Sequence, residues 1–278
     1  MRGTYCAVLA LLTLSQNVIA DEGKLIGTAG LNQIEGAGGG GLVPWATLSG
    51  YDSQEQTSLN VFATNVNVDD YRLQVLGSSV SLYDRVEVSA ARHTFDLTSL
   101  GGEIRQNIYG AKVRLYGDVV YSQYPQLSAG VQYKDLQDDT IANALGSTDS
   151  SGLDYYLSAT KVHLGAAAGY NLVWNVTARM TKANQLGLLG FGHATQDNHE
   201  LMMEGSVGIL FNRHLAVGAE YRQKPDNLGL GEDDWWDVFV TYIPSKSFNV
   251  TLAWAELGSI AGAQGQDGLY LSIGGQLW

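Results

Sequence analysis

The chain is poor in residues that staple or interrupt a fold: of its 278 residues one is cysteine and four are proline. The cysteine is Cys6, so a chain that loses its first twenty residues has no thiol and no disulfide to rely on. Long apolar runs are missing too. Beyond the N-terminus no stretch reaches the roughly 18 residues that a membrane-spanning helix needs, which excludes a helical membrane protein. Cations are scarce: 16 Lys and Arg stand against 28 Asp and Glu, a net charge of −12. No basic stripe exists to neutralise phosphates, so nucleic acid is excluded as a partner.

What is present begins with a leader. Met1-Arg2 gives a positive start, Ala7 to Leu14 a short apolar core, and Val18-Ile19-Ala20 small residues at a cleavage site before Asp21. Residues 1–20 are therefore read as a signal peptide and 21–278 as one exported domain. Cleavage removes Arg2 and takes the net charge to −13, which suits solvated loops at a cell surface.

Through the exported part the dominant signal is a period of two. Leu172-Trp174-Val176-Ala178-Met180 alternate with Asn171, Asn175, Thr177 and Arg179, and Leu215-Val217-Ala219-Tyr221 alternate with Gly218, Glu220 and Arg222. Successive side chains of a strand point to opposite faces, so each segment has one apolar and one polar face. The segments run to about 10–12 residues, longer than the usual strand of a soluble sheet. Ten residues at about 3.3 Å, tilted by about 40°, cover roughly 25 Å, the height of an outer-membrane apolar band. Tyr51, Tyr71, Tyr133, Tyr155, Tyr170, Tyr221, Trp235, Trp236, Tyr242 and Phe248 fall towards segment ends, where rings at the headgroup level form girdles.

These features predict an all-β chain, a single transmembrane antiparallel β-barrel of about 12–14 strands. Strands are expected near 24–34, 41–51, 56–68, 70–82, 85–96, 106–117, 126–136, 153–164, 170–181, 200–211, 214–224, 235–243, 247–257 and 268–278. Fourteen is the direct count, and twelve follows if the first segments form a plug or clasp, with residues 21–41 folding inward. Counting back from the C-terminus, connections alternate between long (258–267, 225–234, 182–199, 137–152) and short, as in outer-membrane barrels. Nearer the N-terminus the pattern weakens, with Asp69-Asp70 short on the outside and 118–125 longer on the inside, and an even count puts both termini in the periplasm. At the C-terminus, Leu269, Leu271, Ile273 and Leu277 form the apolar series, whereas Trp278 belongs to the polar one, which suggests a bulge or a tail turning away.

Several patches carry a family resemblance. Ile34-Glu35-Gly36-Ala37-Gly38-Gly39-Gly40-Gly41-Leu42-Val43-Pro44-Trp45, Tyr83-Asp84-Arg85-Val86-Glu87-Val88-Ser89, Ala183-Asn184-Gln185-Leu186-Gly187 and Val217-Gly218-Ala219-Glu220-Tyr221-Arg222 are among them. In these the chain resembles an uncharacterised proteobacterial domain-of-unknown-function family of exported outer-membrane β-barrel proteins. The resemblance implies no substrate, cofactor or catalytic residue.

Chemical motifs are few. Gly36, Gly38 and Gly41 match the G-x-G-x-x-G spacing of a dinucleotide loop, but Pro44-Trp45 follows where a helix should hold the pyrophosphate. The steric reading is preferred: bare glycines let backbones approach closely, or a segment lie against them. His93, His163, His193, His199 and His214 form no zinc motif, and no metal or other cofactor is expected. An enzyme is not expected either. The alternative is a lipid hydrolase, for which His193 with Thr195 is the one close His–hydroxyl pair.

Alternation projects Glu87, Lys112, Arg114, Lys134, Arg179, Glu204, Glu220 and Arg222 to the interior as the candidate lumen lining. The expected function is a porin-like barrel or narrow passive diffusion channel for small solutes or ions, seated among outer-membrane lipid and lipopolysaccharide. A non-conducting barrel acting through its 137–152 and 182–199 loops is the alternative. An open channel and a closed salt-bridge network use the same residues, and alternation does not separate them.

Overall fold

The computed structural model describes residues 24–277; the leader and Trp278 lie outside them. Twelve strands form a closed barrel in which every neighbour is antiparallel and consecutive in sequence, with β1 closing on β12. The strands are β1 (Thr57–Val68), β2 (Tyr71–Leu82), β3 (Val86–Leu97), β4 (Glu103–Tyr116), β5 (Gln126–Leu136) and β6 (Ser151–Ala167). They continue as β7 (Tyr170–Thr181), β8 (Glu200–Asn212), β9 (Leu215–Arg222), β10 (Trp235–Ser245), β11 (Phe248–Glu256) and β12 (Asp267–Leu277). Closure leaves no unpaired edge, which matters for a β-protein without disulfides. Among the described residues no helix is long and apolar enough to cross a membrane.

The smaller of the two expected counts is therefore the one found. The segments expected as strands at 24–34 and 41–51 are not strands. Residues 29–52 instead run through the inside of the barrel, and 32–44 and 46–52 are buried without a break. Alternation failed here for a physical reason: a segment enclosed on all sides has no solvent face to encode. The other twelve expected segments correspond to β1–β12, with ends shifted by a few residues.

The connections sort as expected. Short turns at 83–85, 168–169, 213–214 and 246–247 share one end of the barrel with Lys24 and Leu277, and 117–125 is the longest link there. The opposite end carries 137–150, 182–199, 223–234 and 257–266. These long loops are bound to one another: the Asp149 and Phe191 backbones exchange hydrogen bonds, and Lys182 pairs with Asp149 (2.8 Å) and Asp197 (2.6 Å).

Outside, the alternation holds. Val176, Val207, Val238, Leu252 and Leu271 are all exposed on the outer wall. Tyr133, Tyr155, Tyr170, Tyr221, Trp236 and Tyr242 are exposed there too, as girdle residues should be. Tyr51, Tyr71 and Trp235 are corrections to that group, each 7% exposed or less. Their parity turns Tyr71 and Trp235 inward, and Tyr51 belongs to the inserted segment. Along β12, Leu269, Leu271, Ile273 and Leu277 face outward and Leu277 pairs with Leu59 in unbroken register; the expected bulge or turning tail concerned Trp278, which lies outside the described residues.

Candidate functional site: a filled barrel interior

The bore has two layers. Towards the long loops it is apolar: Ile34, Leu42 and Val43 of the insert pack with Val66, Tyr71, Leu73, Phe95, Ile104 and Ile108 of the wall. Leu186, Leu188 and Leu189 of the 182–199 loop and Ile260 of the 257–266 loop close over them. Tyr71 and Phe95 stack with centroids 5.0 Å apart. Burial of each large aliphatic side chain contributes about 1.5–3 kcal/mol, so three from the insert are a substantial anchor.

Below this layer lies a network of charges centred on Glu35 of the insert. Its carboxylate meets Arg222 at 2.8 Å and Arg179 at 3.4 Å, and pairs with Lys134. Arg179 also reaches Glu204 (2.5 Å) and Asp154 (3.3 Å), and Lys134 reaches Asp154 (2.7 Å). All six side chains are 3% exposed or less. Such ions tolerate removal from water only when paired and hydrogen-bonded throughout. Burial pushes the Glu35 carboxyl upward, but Arg222, Lys134 and Arg179 together hold it well below the usual carboxylate range.

Two further wall carboxylates hold the insert by its backbone. Glu220 accepts hydrogen bonds from the Gly41 (2.6 Å) and Leu42 (2.7 Å) amides and from the Ser206 hydroxyl (2.6 Å). Glu87 accepts from the Gly38 (2.9 Å) and Ser49 (2.6 Å) amides. Lys112 completes the second grip, donating to the Gly38 (2.7 Å) and Thr47 (2.8 Å) carbonyls beside Glu87 (3.4 Å). The glycines make this approach possible. A Cβ on Gly39 would sit 2.4 Å from the Val43 carbonyl oxygen, and one on Gly40 would sit 1.9 Å from Glu220 Oε1.

Of the eight residues projected inward by alternation, seven are 3% exposed or less, and each of the seven contacts the insert or a residue that contacts it. Arg114 stands apart. It lies half-buried at the short-turn mouth, pairs with Asp84 and Asp118, and donates to the Gly117 carbonyl (2.6 Å). Of the two arrangements these residues could serve, a water-filled bore or a closed network of pairs, the seven are in the second, with the insert supplying counter-groups.

Sequence reasoning missed Glu35, Asp154 and Asp237. The last two were legible, since Leu153-Tyr155 and Trp236-Val238 set the outward parity and leave each Asp inward. Glu35 was not, because even with residues 21–41 folded inward as a plug, a Gly-rich stretch has no parity to say which of its side chains meets the wall charges.

Two cavities lined by the described residues are small: about 60 Å³ between Lys24, Arg114 and Asp118 at the short-turn mouth, and about 20 Å³ among Ile34, Phe95 and Trp235. These hold a few waters at most. Outside the bore, His193 Nδ1 and Thr195 Oγ1 lie 2.8 Å apart, but Asp197, the acid nearest in sequence, is taken by Lys182 and Thr148. Among the described residues no three His, Cys, Asp or Glu side chains are grouped to hold a metal.

The fold and interior together define a closed, antiparallel, twelve-stranded β-barrel filled by its own N-terminal segment. The chain belongs to the family described as "Protein of unknown function (DUF3034)", whose model matches residues 28–274. No curated protein is significantly similar to it in sequence. Among solved structures it is similar to the outer membrane protein Omp33 of Acinetobacter baumannii, at 10% identity and a TM-score of 0.49, covering 81% of this chain and 100% of that one. It is similar to the KdgM porin at 10% identity and a TM-score of 0.49 (79% and 98% covered). The NanC porin follows at 10% and 0.48 (78% and 97% covered). Similarity at this level carries no functional argument, and the reading below rests on the barrel's own surfaces.

Proposed function

We propose that the protein is an outer-membrane β-barrel, porin-like in build, whose bore its own N-terminal segment holds shut. The observation that carries this reading is the wall itself. Apolar side chains cover most of its outside, the long-loop half of β2–β4 apart, while Arg179, Lys134 and Glu204 are buried within. An Arg or Lys on the lipid side at mid-depth would cost about 2–4 kcal/mol, so the distribution suits a cylinder whose outside meets hydrocarbon. With the short turns and both chain ends on one side, that side faces the periplasm and the long loops face outward. The lumen charges then act as the seat of a plug, and passive diffusion of small solutes or ions requires the insert to leave.

Fractionation and conductance test this directly. The folded protein is expected in the outer-membrane fraction, with an electrophoretic mobility that shifts on boiling. Reconstituted in planar bilayers, it should give no steady current, while a variant lacking residues 24–52, or the milder Glu35→Gln with Glu220→Gln, should conduct. A steady ionic current through the unaltered protein would overturn the closed reading. Recovery from soluble periplasm without the mobility shift would overturn the membrane reading.

A further inference from the structure

The seat of Glu35 is built by the wall and not by the segment that fills it. Arg179 is held by Glu204 (2.5 Å to Nε) and Asp154 (3.3 Å to Nη1), and its guanidinium lies over the Tyr156 ring, 5.5 Å from the centroid. Asp154 also holds Lys134 (2.7 Å), and Glu204 holds Arg222 (3.4 Å). Each of the three cations therefore keeps a carboxylate of the wall when Glu35 is taken away. The charges do not cancel. Lys134, Arg179 and Arg222 stand against Asp154 and Glu204 alone, so the wall cluster carries one surplus positive charge, which Glu35 balances. Glu87 and Glu220 are engaged elsewhere, one by Lys112 and the other by the Gly41 and Leu42 amides.

We infer that this seat is a binding site for the carboxylate of a small organic acid, with Glu35 as its resident occupant. The inference rests on the closed-barrel reading above and deepens it, naming the class of solute taken when the insert withdraws. The geometry is that of a carboxylate clamp: Arg222 Nη1 (2.8 Å) and Arg179 Nη2 (3.4 Å) share one oxygen, and Lys134 stands at the other. Charge-assisted bonds of this kind are the strong ones, and here the wall fixes their donors in advance. A single surplus charge suits a monoanion and repels a cation. Gln132 adds a group that Glu35 does not use. It is fully buried on β5, two residues before Lys134 on the same inward face, and its Oε1 accepts from Arg179 (2.8 Å). Its Nε2 has no partner among the described residues. A buried donor left over beside the clamp suits a ligand with one more acceptor oxygen, such as a hydroxyl next to the carboxylate.

Chemical rescue tests the seat without requiring it to open. Glu35→Ala in the full chain removes the atoms of one acetate from the clamp. Sodium acetate should restore most of the thermal midpoint of the mobility shift that this variant loses, and the effect should saturate. Sodium chloride and the neutral acetamide at the same concentrations should restore none of it. Glu35→Gln, whose amide still fills the place, should not respond. If Glu35→Ala is not recovered folded, its refolding yield is read with the same three additions. An acetate effect no larger than that of chloride overturns the inference. Solute class is read in the conducting variant, Glu35→Gln with Glu220→Gln: its chloride current should fall saturably as acetate is added, and further Arg222→Gln should abolish that fall. A chloride current indifferent to acetate removes the solute class. A steady current through the unaltered protein removes the closed reading instead, and leaves rescue of Glu35→Ala to decide the seat.

Discussion

Glu35 Oε2 lies 2.8 Å from Arg222 Nη1, joining the inserted segment to β9 in the centre of the barrel. Arg179 and Lys134 crowd the same carboxylate, so one side chain of the insert balances three cations of the wall. Replacement by Gln leaves those cations buried without their shared counter-charge. Breaking a buried pair from one side costs about 3–5 kcal/mol. Glu35→Gln should lower the thermal midpoint of the mobility shift and speed proteolysis within 24–56. Equal protease resistance in the two proteins would remove Glu35 from its central place.

The glycines of the insert act sterically. Gly39→Ala places a methyl 2.4 Å from a backbone oxygen, and Gly40→Ala places one against a Glu220 carboxylate already held by two amides and a hydroxyl. Overpacking of this kind costs about 1–3 kcal/mol. Both variants should raise hydrogen exchange at the Gly41 and Leu42 amides. Unchanged exchange would show that the insert yields more easily than its packing implies.

Acid should act late. The Glu35 carboxyl is held well below the usual carboxylate range by Arg222, Lys134 and Arg179 against the upward push of burial. A carboxyl whose value is depressed by folding adds stability above its unfolded value, and that stability is lost as pH falls through the folded value. The part of the docking stability that Glu35→Gln removes should therefore be constant from pH 8 to about 5 and shrink only below roughly pH 4, where a free glutamate titrates. Trp45, whose indole nitrogen donates to Ser206 at 2.9 Å, reports this by fluorescence. A transition centred near neutral pH would contradict the assignment.

On the outer wall, Leu271 of β12 is 41% exposed, paired with Leu252 on β11 and Asn65 on β1. Leu271→Arg should reduce the stability of the barrel in vesicles by about 2–4 kcal/mol, measured by urea-induced unfolding. A negligible effect would place this wall in water.

Most of the barrel was legible because each strand writes its two environments in alternate letters. Val176 and Thr177, or Leu252 and Ala253, declare outside and inside without help from a neighbour. What the bore contains was not legible by the same rule. Gly38, Gly39 and Gly40 are informative only beside Glu87 and Glu220, which lie far along the chain. Arg114 shows the limit of parity in another way: it faces inward, but at the rim, where Asp84 and Asp118 hold it and the insert does not.

One carbonyl on the insert touches both sides of the seam where the cylinder closes. Ser49 O accepts from Gln276 of β12 at 2.7 Å and from Asn60 of β1 at 3.4 Å. The first and last strands to be synthesised are thus stitched from within by a segment that precedes them both. The β1–β12 ladder closes the seam, and filling reinforces it: the seam gains its inner stitch only when the segment is already in place.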